Sequence, residues 1–226
     1  MKLFQATPHV WYSEFDDDYD LPALGLVVGD TFSIAIDAGH SKQHVLDFYA
    51  SLKEHHLPLP SYTFITHWHW DHSFGMHAIH GKSVAESITN QHLLSIAKDQ
   101  NYLDHLFETN KKFATVFAKE PLQIVPADIV FEDTYTLDLG GLHIHAFHTP
   151  SPHTEDCTCV LVEEEKVLFV GDCICGTYPT WEIDPIKNKQ LIDTLKPIDF
   201  TYAIGGHWHP FTKDQLLDDL IHFRLT

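Results

Sequence analysis

The sequence predicts an α/β fold, and three observations carry that expectation. Short runs rich in Val, Ile, Phe and Tyr recur through most of the 226 residues, and a strand, a helix and a strand follow one another across residues 31–66. The chain also reads as two β-rich halves, each with helices toward its end. Hydrophobic residues make up 44% of the chain, enough for a proper core, and we expect one domain over residues 1–226 rather than two small ones. No internal sequence repeat is visible.

Residues 2–37 read as β structure: Val10-Trp11-Tyr12, then Leu24-Gly25-Leu26-Val27-Val28, a Gly29-Asp30 hairpin signal, and Thr31-Phe32-Ser33-Ile34-Ala35-Ile36. The acidic residues 16–20 between them are expected to form a solvated loop without a function. Ser41 is placed as the N-cap of a helix whose apolar face is Val45, Leu46, Phe48, Tyr49 and Leu52, ending near Pro58. Residues 62–66 form the next strand. Strand, helix, strand in that order implies a crossover unit, with functional groups at the carboxyl end of a strand.

A short strand is expected at residues 83–85. Residues 87–118 then turn polar and helix-forming, with apolar positions at irregular helical spacing, and we expect one or two helices inserted there. They are placed either to cover a pocket or simply to pack on the sheet. From Leu122 to Val170 the pattern is β again, with Gly140-Gly141 as a turn and Glu163-Glu164-Glu165-Lys166 as a hairpin tip. A helix over residues 187–195, a strand over 200–204 and a helix capped by Thr212 close the chain.

Composition excludes several function classes. The formal charge is −18 with only 14 Lys and Arg, so phosphate-backbone binding is disfavoured and nucleic acid is not an expected substrate. The N-terminus lacks the apolar core of a signal peptide and no run approaches membrane-spanning length, so no membrane contact is expected and a cytoplasmic protein is. The four cysteines form two C-x-C pairs, Cys157/Cys159 and Cys173/Cys175. Same-face thiols can bind metal or cross-link, but in a reducing compartment we expect buried small residues. No oligomeric state follows from the sequence.

The chemistry concentrates in Thr66-His67-Trp68-His69-Trp70-Asp71-His72, four metal-capable side chains within six positions. On a strand that runs into a loop, His67, His69 and Asp71 project to one side by the two-residue period, and His72 falls out of phase. One short loop can therefore serve two neighbouring ions. Imidazole and carboxylate donors suit zinc, iron or manganese. Asp37 is a candidate to orient the histidine loop through an imidazole's second nitrogen, and a plain strand-end turn explains it almost as well. Trp68 and Trp70 alternate with the donors, and core packing is their simplest role. His55, His56, His143 and His145 are expected to be surface or structural groups.

Three later strand ends carry further donors: His153 in Pro150-Ser151-Pro152-His153-Thr154, Asp172 in Phe169-Val170-Gly171-Asp172, and His207 in Ile204-Gly205-Gly206-His207. With the 66–72 loop and the Ile36-Asp37-Ala38-Gly39 element, these motifs resemble the metallo-β-lactamase superfamily in order and context. The resemblance implies an αββα sandwich with a dinuclear centre at one edge of its two sheets, in which the helices expected around 87–118 are an insertion. It implies that His67, His69 and His153 hold the first metal, that Asp71, His72 and His207 hold the second, and that Asp172 bridges both. His148 competes with His153, which is preferred because Thr154 follows it and Gly171-Asp172 comes a strand pair later. His209 competes with His207, which has the matching glycine before it.

What the resemblance implies for function is a metal-dependent hydrolase of glyoxalase II type. It would use two divalent ions, zinc first with iron or manganese as alternatives, on a small ester, thioester or lactone. Hydroxide held by the metals is the implied nucleophile, and Asp71 is the residue expected to hold it in line or accept its proton. Two other readings stand beside it: an iron-dependent sulfur or oxygen redox enzyme of the same superfamily, and a non-catalytic metal-binding protein.

Overall fold

The computed structural model describes residues 1–225. A first sheet runs in sequence order through β1 (Leu3–Gln5), β2 (Val10–Ser13), β3 (Gly25–Val28), β4 (Ser33–Ile36), β5 (Tyr62–Phe64), β6 (Lys82–Glu86) and β7 (Ile129–Phe131). The first four strands meander antiparallel, and β4 to β7 lie parallel. A second sheet holds β8 (Thr134–Asp138), β9 (His143–His148), β10 (Thr158–Val162), β11 (Val167–Gly171), β12 (Tyr202–Gly205) and β13 (Phe211–Thr212), in spatial order β13-β12-β11-β10-β9-β8. Its pairs are antiparallel except β11 with β12.

The sheets face each other across the main core, where Val27, Ile34, Ile36, Phe64 and Val84 of the first meet Ile144, Val160, Val162, Phe169 and Ile204 of the second. Strands β4, β10 and β11 are buried at every position because helices cover their outer faces, which is why they read as continuous apolar runs. Outside the first sheet, α1 (Lys42–Glu54) packs Phe48 and Leu52 on Leu24, Leu26 and Ala35. Outside the second, α6 (Pro185–Leu195) and α7 (Lys213–Ile221) bury Leu191, Leu195, Leu216 and Leu220 against Leu161, Leu168 and Ala203. The result is the four-layer αββα sandwich. Emptying one of its inner positions, Phe64→Ala, costs about 3–5 kcal/mol by the usual penalty for a buried aromatic.

Local chemistry sets the helix starts. Ser41 accepts from the His44 amide at 3.2 Å and begins α1, while Thr212 and Gln215 form a reciprocal capping box at α7. The insertion differs from expectation: residues 87–118 form three helices, α3 (Ser87–Ile96), α4 (Gln100–Thr109) and α5 (Lys111–Phe117), not one or two. Asp99 and Asn110 each cap the following helix with a side-chain oxygen, and those two caps cut one helical pattern into three. Leu93, Leu103, Leu106, Phe113 and Phe117 from these helices pack with Ile65, Trp70 and Phe74, so the insertion builds its own core around the histidine loop. Among the described residues, no helix is long and apolar enough to cross a membrane.

The carboxyl ends of β4, β5, β9, β11 and β12 converge on one edge of the sandwich. Backbone hydrogen bonds lock the loops there: Thr158 N donates to Thr66 O at 2.7 Å across the two sheets, Ala38 N to His72 O at 2.9 Å, and Gly206 N to Gly171 O at 3.1 Å.

Candidate metal centre

Five separated segments deliver the polar groups of this edge. The 66–72 loop leaves β5, and at Trp70 it turns into the short helix α2 (Trp70–Ser73). That turn overrides the two-residue period: Asp71 parts from His67 and His69 and joins His72, because consecutive helical residues step around an axis instead of alternating across a strand. Asp37 follows β4, His153 lies in the loop after β9, Asp172 follows β11 directly, and His207 follows β12 after Gly206.

The structure gathers these side chains into two adjoining groups. His67, His69 and His153 form one, and Asp71, His72, Asp172 and His207 the other; within each, one donor atom per residue lies within 4.8 Å of all the rest. The His67 and His72 rings, one from each group, are 4.3 Å apart between centroids. Asp172 faces both: its Oδ2 is 3.3 Å from His72 Nε2, 3.7 Å from His207 Nε2 and 3.9 Å from His153 Nε2. The two competing histidines lie elsewhere. His148 Nε2 pairs with the Glu155 carbonyl at 2.7 Å, and His209 sits edge-on to Phe15.

Close backbone approach makes room for the cluster. Gly171 has φ 50°, and a Cβ there would meet Thr66 Oγ1 at 2.5 Å. At Gly206 a Cβ would come within 2.4 Å of Asp172 Oδ1 and 2.6 Å of His72 Cε1, so any side chain before His207 would fill the space the donors share.

A second layer of polar groups fixes four of the five rings. Asp37, itself at φ 62°, accepts from His72 Nδ1 at 2.7 Å, from the Thr66 amide at 2.8 Å and from Thr66 Oγ1 at 2.9 Å. With its proton given to Asp37, Thr66 Oγ1 accepts from His67 Nδ1 at 3.1 Å. His153 Nδ1 donates to the Gly176 carbonyl at 2.9 Å, and His207 Nδ1 to Asp17 Oδ1 at 2.9 Å. Each of these four imidazoles therefore turns Nε2 toward the cluster. Asp156 holds the loop itself, accepting from the Trp68 amide and from Thr89 Oγ1, both at 2.8 Å, and from Thr154 Oγ1 at 2.6 Å.

The donor atoms fit cations. His67 Nε2, His72 Nε2 and Asp172 Oδ1 are buried with no hydrogen-bond partner, an expensive state for polar atoms unless a ligand satisfies them. His69 Nδ1 and His153 Nε2 point at each other at 2.9 Å, close enough for one cation to reach both.

Electrostatics divide the two groups. Burial, reinforced by neighbouring imidazoles, holds His67 well below the usual imidazole range and His69 down to about 3, so both are neutral lone-pair donors. In the other group burial opposes charge but the pairs overcome it. Asp172, then Asp71 and Asp37, raise His72 well above its ordinary value, and Asp172, Asp17 and Asp71 raise His207 to about 10. Reciprocally, His72 and His207 hold Asp71 down to about 2 against its burial, and hold Asp172 well below the carboxylate range.

Several contributors carry no sequence signal. Asp156 and Thr66 look like ordinary loop residues, and Asp17, within the acidic 16–20 run read as solvated, pairs with His207 from a 3₁₀ turn capped by Asp16. The cysteines are buried and unbridged, as expected. Cys175 nevertheless reaches the site: its Sγ is 3.2 Å from His153 Nδ1, and it could join His153 and Asp172 as a donor, although burial first and Asp172 second raise its thiol far above the usual range. Trp70 is buried in the insertion core, and Trp68, partly buried beside His69, packs against the same core. Surface concavities at Gln5, Ala6, Thr7 and Pro8 and around Thr136, Asp138 and Glu163 include none of these donors.

Comparison with known proteins bears on this arrangement. The family model described as "Metallo-beta-lactamase superfamily" matches residues 23–214. The chain is 23% identical to an atrochrysone carboxyl ACP thioesterase of Aspergillus fumigatus, aligned over 77% of this chain and 46% of that protein. It is 25% identical to a beta-lactamase-like protein 2 homolog of Caenorhabditis elegans, over 85% of this chain and 58% of the relative. The chain thus spans about half the length of these curated relatives. Among solved structures, a metallo-beta-lactamase from Pontibacter korlensis superposes with a TM-score of 0.70 at 17% identity, covering 100% of this chain and 99% of that one, a likeness of fold.

Proposed function

Since this chain belongs to the metallo-β-lactamase superfamily, we propose that it is a metal-dependent hydrolase of small acyl compounds, an ester, a thioester or a lactone. His67, His69 and His153 would hold one divalent ion, Asp71, His72 and His207 a second, and Asp172 would span both. Zinc is the first candidate, with iron and manganese as alternatives. The observation that carries the reading is the set of buried, partnerless atoms, His67 Nε2, His72 Nε2 and Asp172 Oδ1, drawn from loops that share no sequence neighbourhood. The thioesterase name of one relative supports a thioester as the first substrate to try.

When bound, such ions supply Lewis acidity that makes a water nucleophilic near neutral pH and stabilises charge on an acyl oxygen. This chain's residues prepare for that. Asp37 and Thr66 orient the His72 and His67 rings, so the Nε2 atoms face the shared space. Asp71, 9% exposed and held to about 2, stays a carboxylate at any physiological pH and can accept a hydrogen bond from the attacking water and hold it in line. Asp156 keeps the Trp68 amide, and with it His69, from drifting.

One unit over residues 1–226 acting in the cytoplasm on a small molecule completes the proposal, and the four unbridged cysteines suit a reducing compartment. The test is turnover of a thioester, ester and lactone panel by purified protein, by chelator-stripped protein, and by His67→Ala and Asp71→Ala. We expect hydrolysis that stripping and either substitution abolish, with circular dichroism unchanged. Undiminished turnover after stripping would sink the reading, as would a coloured, iron-loaded protein that consumes oxygen with a persulfide and leaves the panel intact.

A further inference from the structure

Aromatic rings that the proposed hydrolysis does not use flank the first donor group. Trp68 stands edge-on to His69 with centroids 4.6 Å apart, stacks on His92 at 5.4 Å and meets Tyr102 of α4 at 6.1 Å. On the other side, Trp181 lies nearly parallel to His153, 6.3 Å away with planes 16° apart, and Tyr178 meets Trp181 edge-on at 5.7 Å. His69 and His153 are themselves 4.6 Å apart, so the rings form one arc around the donors.

The way Trp181 is held argues that it serves something outside the fold. Its φ is 58°, a left-handed conformation that costs a bulky residue roughly 1–2 kcal/mol, and yet 43% of its surface stays exposed; Tyr178 is 50% exposed. Burial of the side chain therefore does little to offset the backbone strain. Local bonds impose it instead. Trp181 N donates to Thr177 O at 2.8 Å, Thr177 N to Glu182 O at 3.2 Å, and Thr177 Oγ1 to the Pro152 carbonyl at 2.6 Å, which ties the loop to the residue before His153. Gly176, whose carbonyl receives His153 Nδ1, permits the turn: a Cβ there would meet Trp181 O at 2.2 Å. The loop that orients a donor thus also presents an indole beside it.

Charge narrows the guest. The chain's charge of −18 repels anions at long range. We infer, building on the acyl-hydrolase reading above, that Trp68, Tyr102, Tyr178 and Trp181 form an acyl-binding wall that selects flat, uncharged aromatic or conjugated acyl groups over short aliphatic or anionic ones. Offset stacking adds about 0.5–1.5 kcal/mol per ring pair beyond simple area burial, and the wall offers such contacts within reach of both donors.

Two measurements test this. In the first, 2-naphthamide, acetamide and choline are titrated into chelator-stripped protein by calorimetry and by saturation-transfer NMR. Naphthamide should bind, acetamide should not, and Trp181→Ala should weaken naphthamide about tenfold while Trp181→Phe restores most of the loss. In the second, metal-loaded protein is given naphthoyl and acetyl thioesters of the same thiol. The ratio of their kcat/KM values should favour naphthoyl and fall about tenfold in Trp181→Ala, mainly through KM. Equal binding of naphthamide by the wild type and Trp181→Ala, preferential binding of choline, or an unchanged ratio would overturn the assignment. If neither thioester is cleaved but naphthamide binding still depends on Trp181, the acyl-hydrolase reading fails and the aromatic wall stands.

Discussion

The histidine triad and the mixed carboxylate–imidazole group lie side by side, yet they are held by opposite forces. Around His67 and His69 burial dominates, and the rings stay neutral, His69 down to about 3. Around His72 and His207 carboxylates dominate, and the rings stay protonated, His207 up to about 10. A cation approaching the first pocket would meet bare lone pairs. In the second it would have to displace protons and take over the carboxylates they neutralise. The difference teaches that two pockets built from nearly the same donor types can load by different routes, because what surrounds each imidazole decides its state.

The most disruptive way to probe that contrast is to remove the carboxylate that faces both pockets. Asp172→Ala should strip tight metal binding from the triad and the mixed pocket together and take acyl turnover to background, as read by metal content after dialysis and by a thioester assay. A variant that kept a fully loaded triad would show that the carboxylate belongs to one pocket alone. Next in size, His69→Ala and His207→Ala should each leave one ion per chain, held in different pockets, with native mass spectrometry giving the stoichiometry. Loss of both ions in each variant would erase the distinction.

Asp37→Ala sharpens the comparison more gently. Asp37 bonds His72 directly but reaches His67 only through Thr66, so affinity should fall about 10–100-fold in the mixed pocket and less in the triad, measured by competition with a chromophoric chelator.

The two pockets should also leave opposite marks on the pH dependence of metal-free stability. His207, raised from 6.5 to about 10, contributes at full strength below about 6.5, and that contribution is lost as pH rises through 10. His69, lowered from 6.5 to about 3, brings no penalty above 6.5. Below it the unfolded chain binds a proton that the folded one refuses, so the penalty grows until pH reaches about 3. Melting temperatures between pH 5 and 10 should therefore fall less on the alkaline side in His207→Gln and less on the acid side in His69→Gln. The smallest effect is expected from Asp17→Ala. Its carboxylate is 64% exposed, and a pair of that kind is worth about 0–1 kcal/mol, so mixed-pocket affinity should drop by no more than about fivefold.

Much of this fold was legible from local pattern. The caps at Ser41 and Thr212, the hairpin at 163–166 and nearly every strand follow from side-chain period and turn chemistry acting over a few residues. The failures have physical causes of the same kind. Asp99 and Asn110 compete with helix continuation and divide the insertion into three, and the entry into α2 at Trp70 ends the strand-like alternation before Asp71. Asp17 and Asp156 remained hidden because an acid on a loop looks the same whether it faces water or an imidazole.

The sequence by itself determined the donor types and their order along the chain, since motif context is a short-range property, and its resemblance to the superfamily implied the αββα frame that carries them. Which donors share a pocket was decided by tertiary structure. His69 meets His153 across 84 residues and Asp71 meets His207 across 136, and only the closing of two sheets on one core sets those distances. The protonation states were decided there too, because desolvation and neighbouring charge exist only once the chain has folded around them.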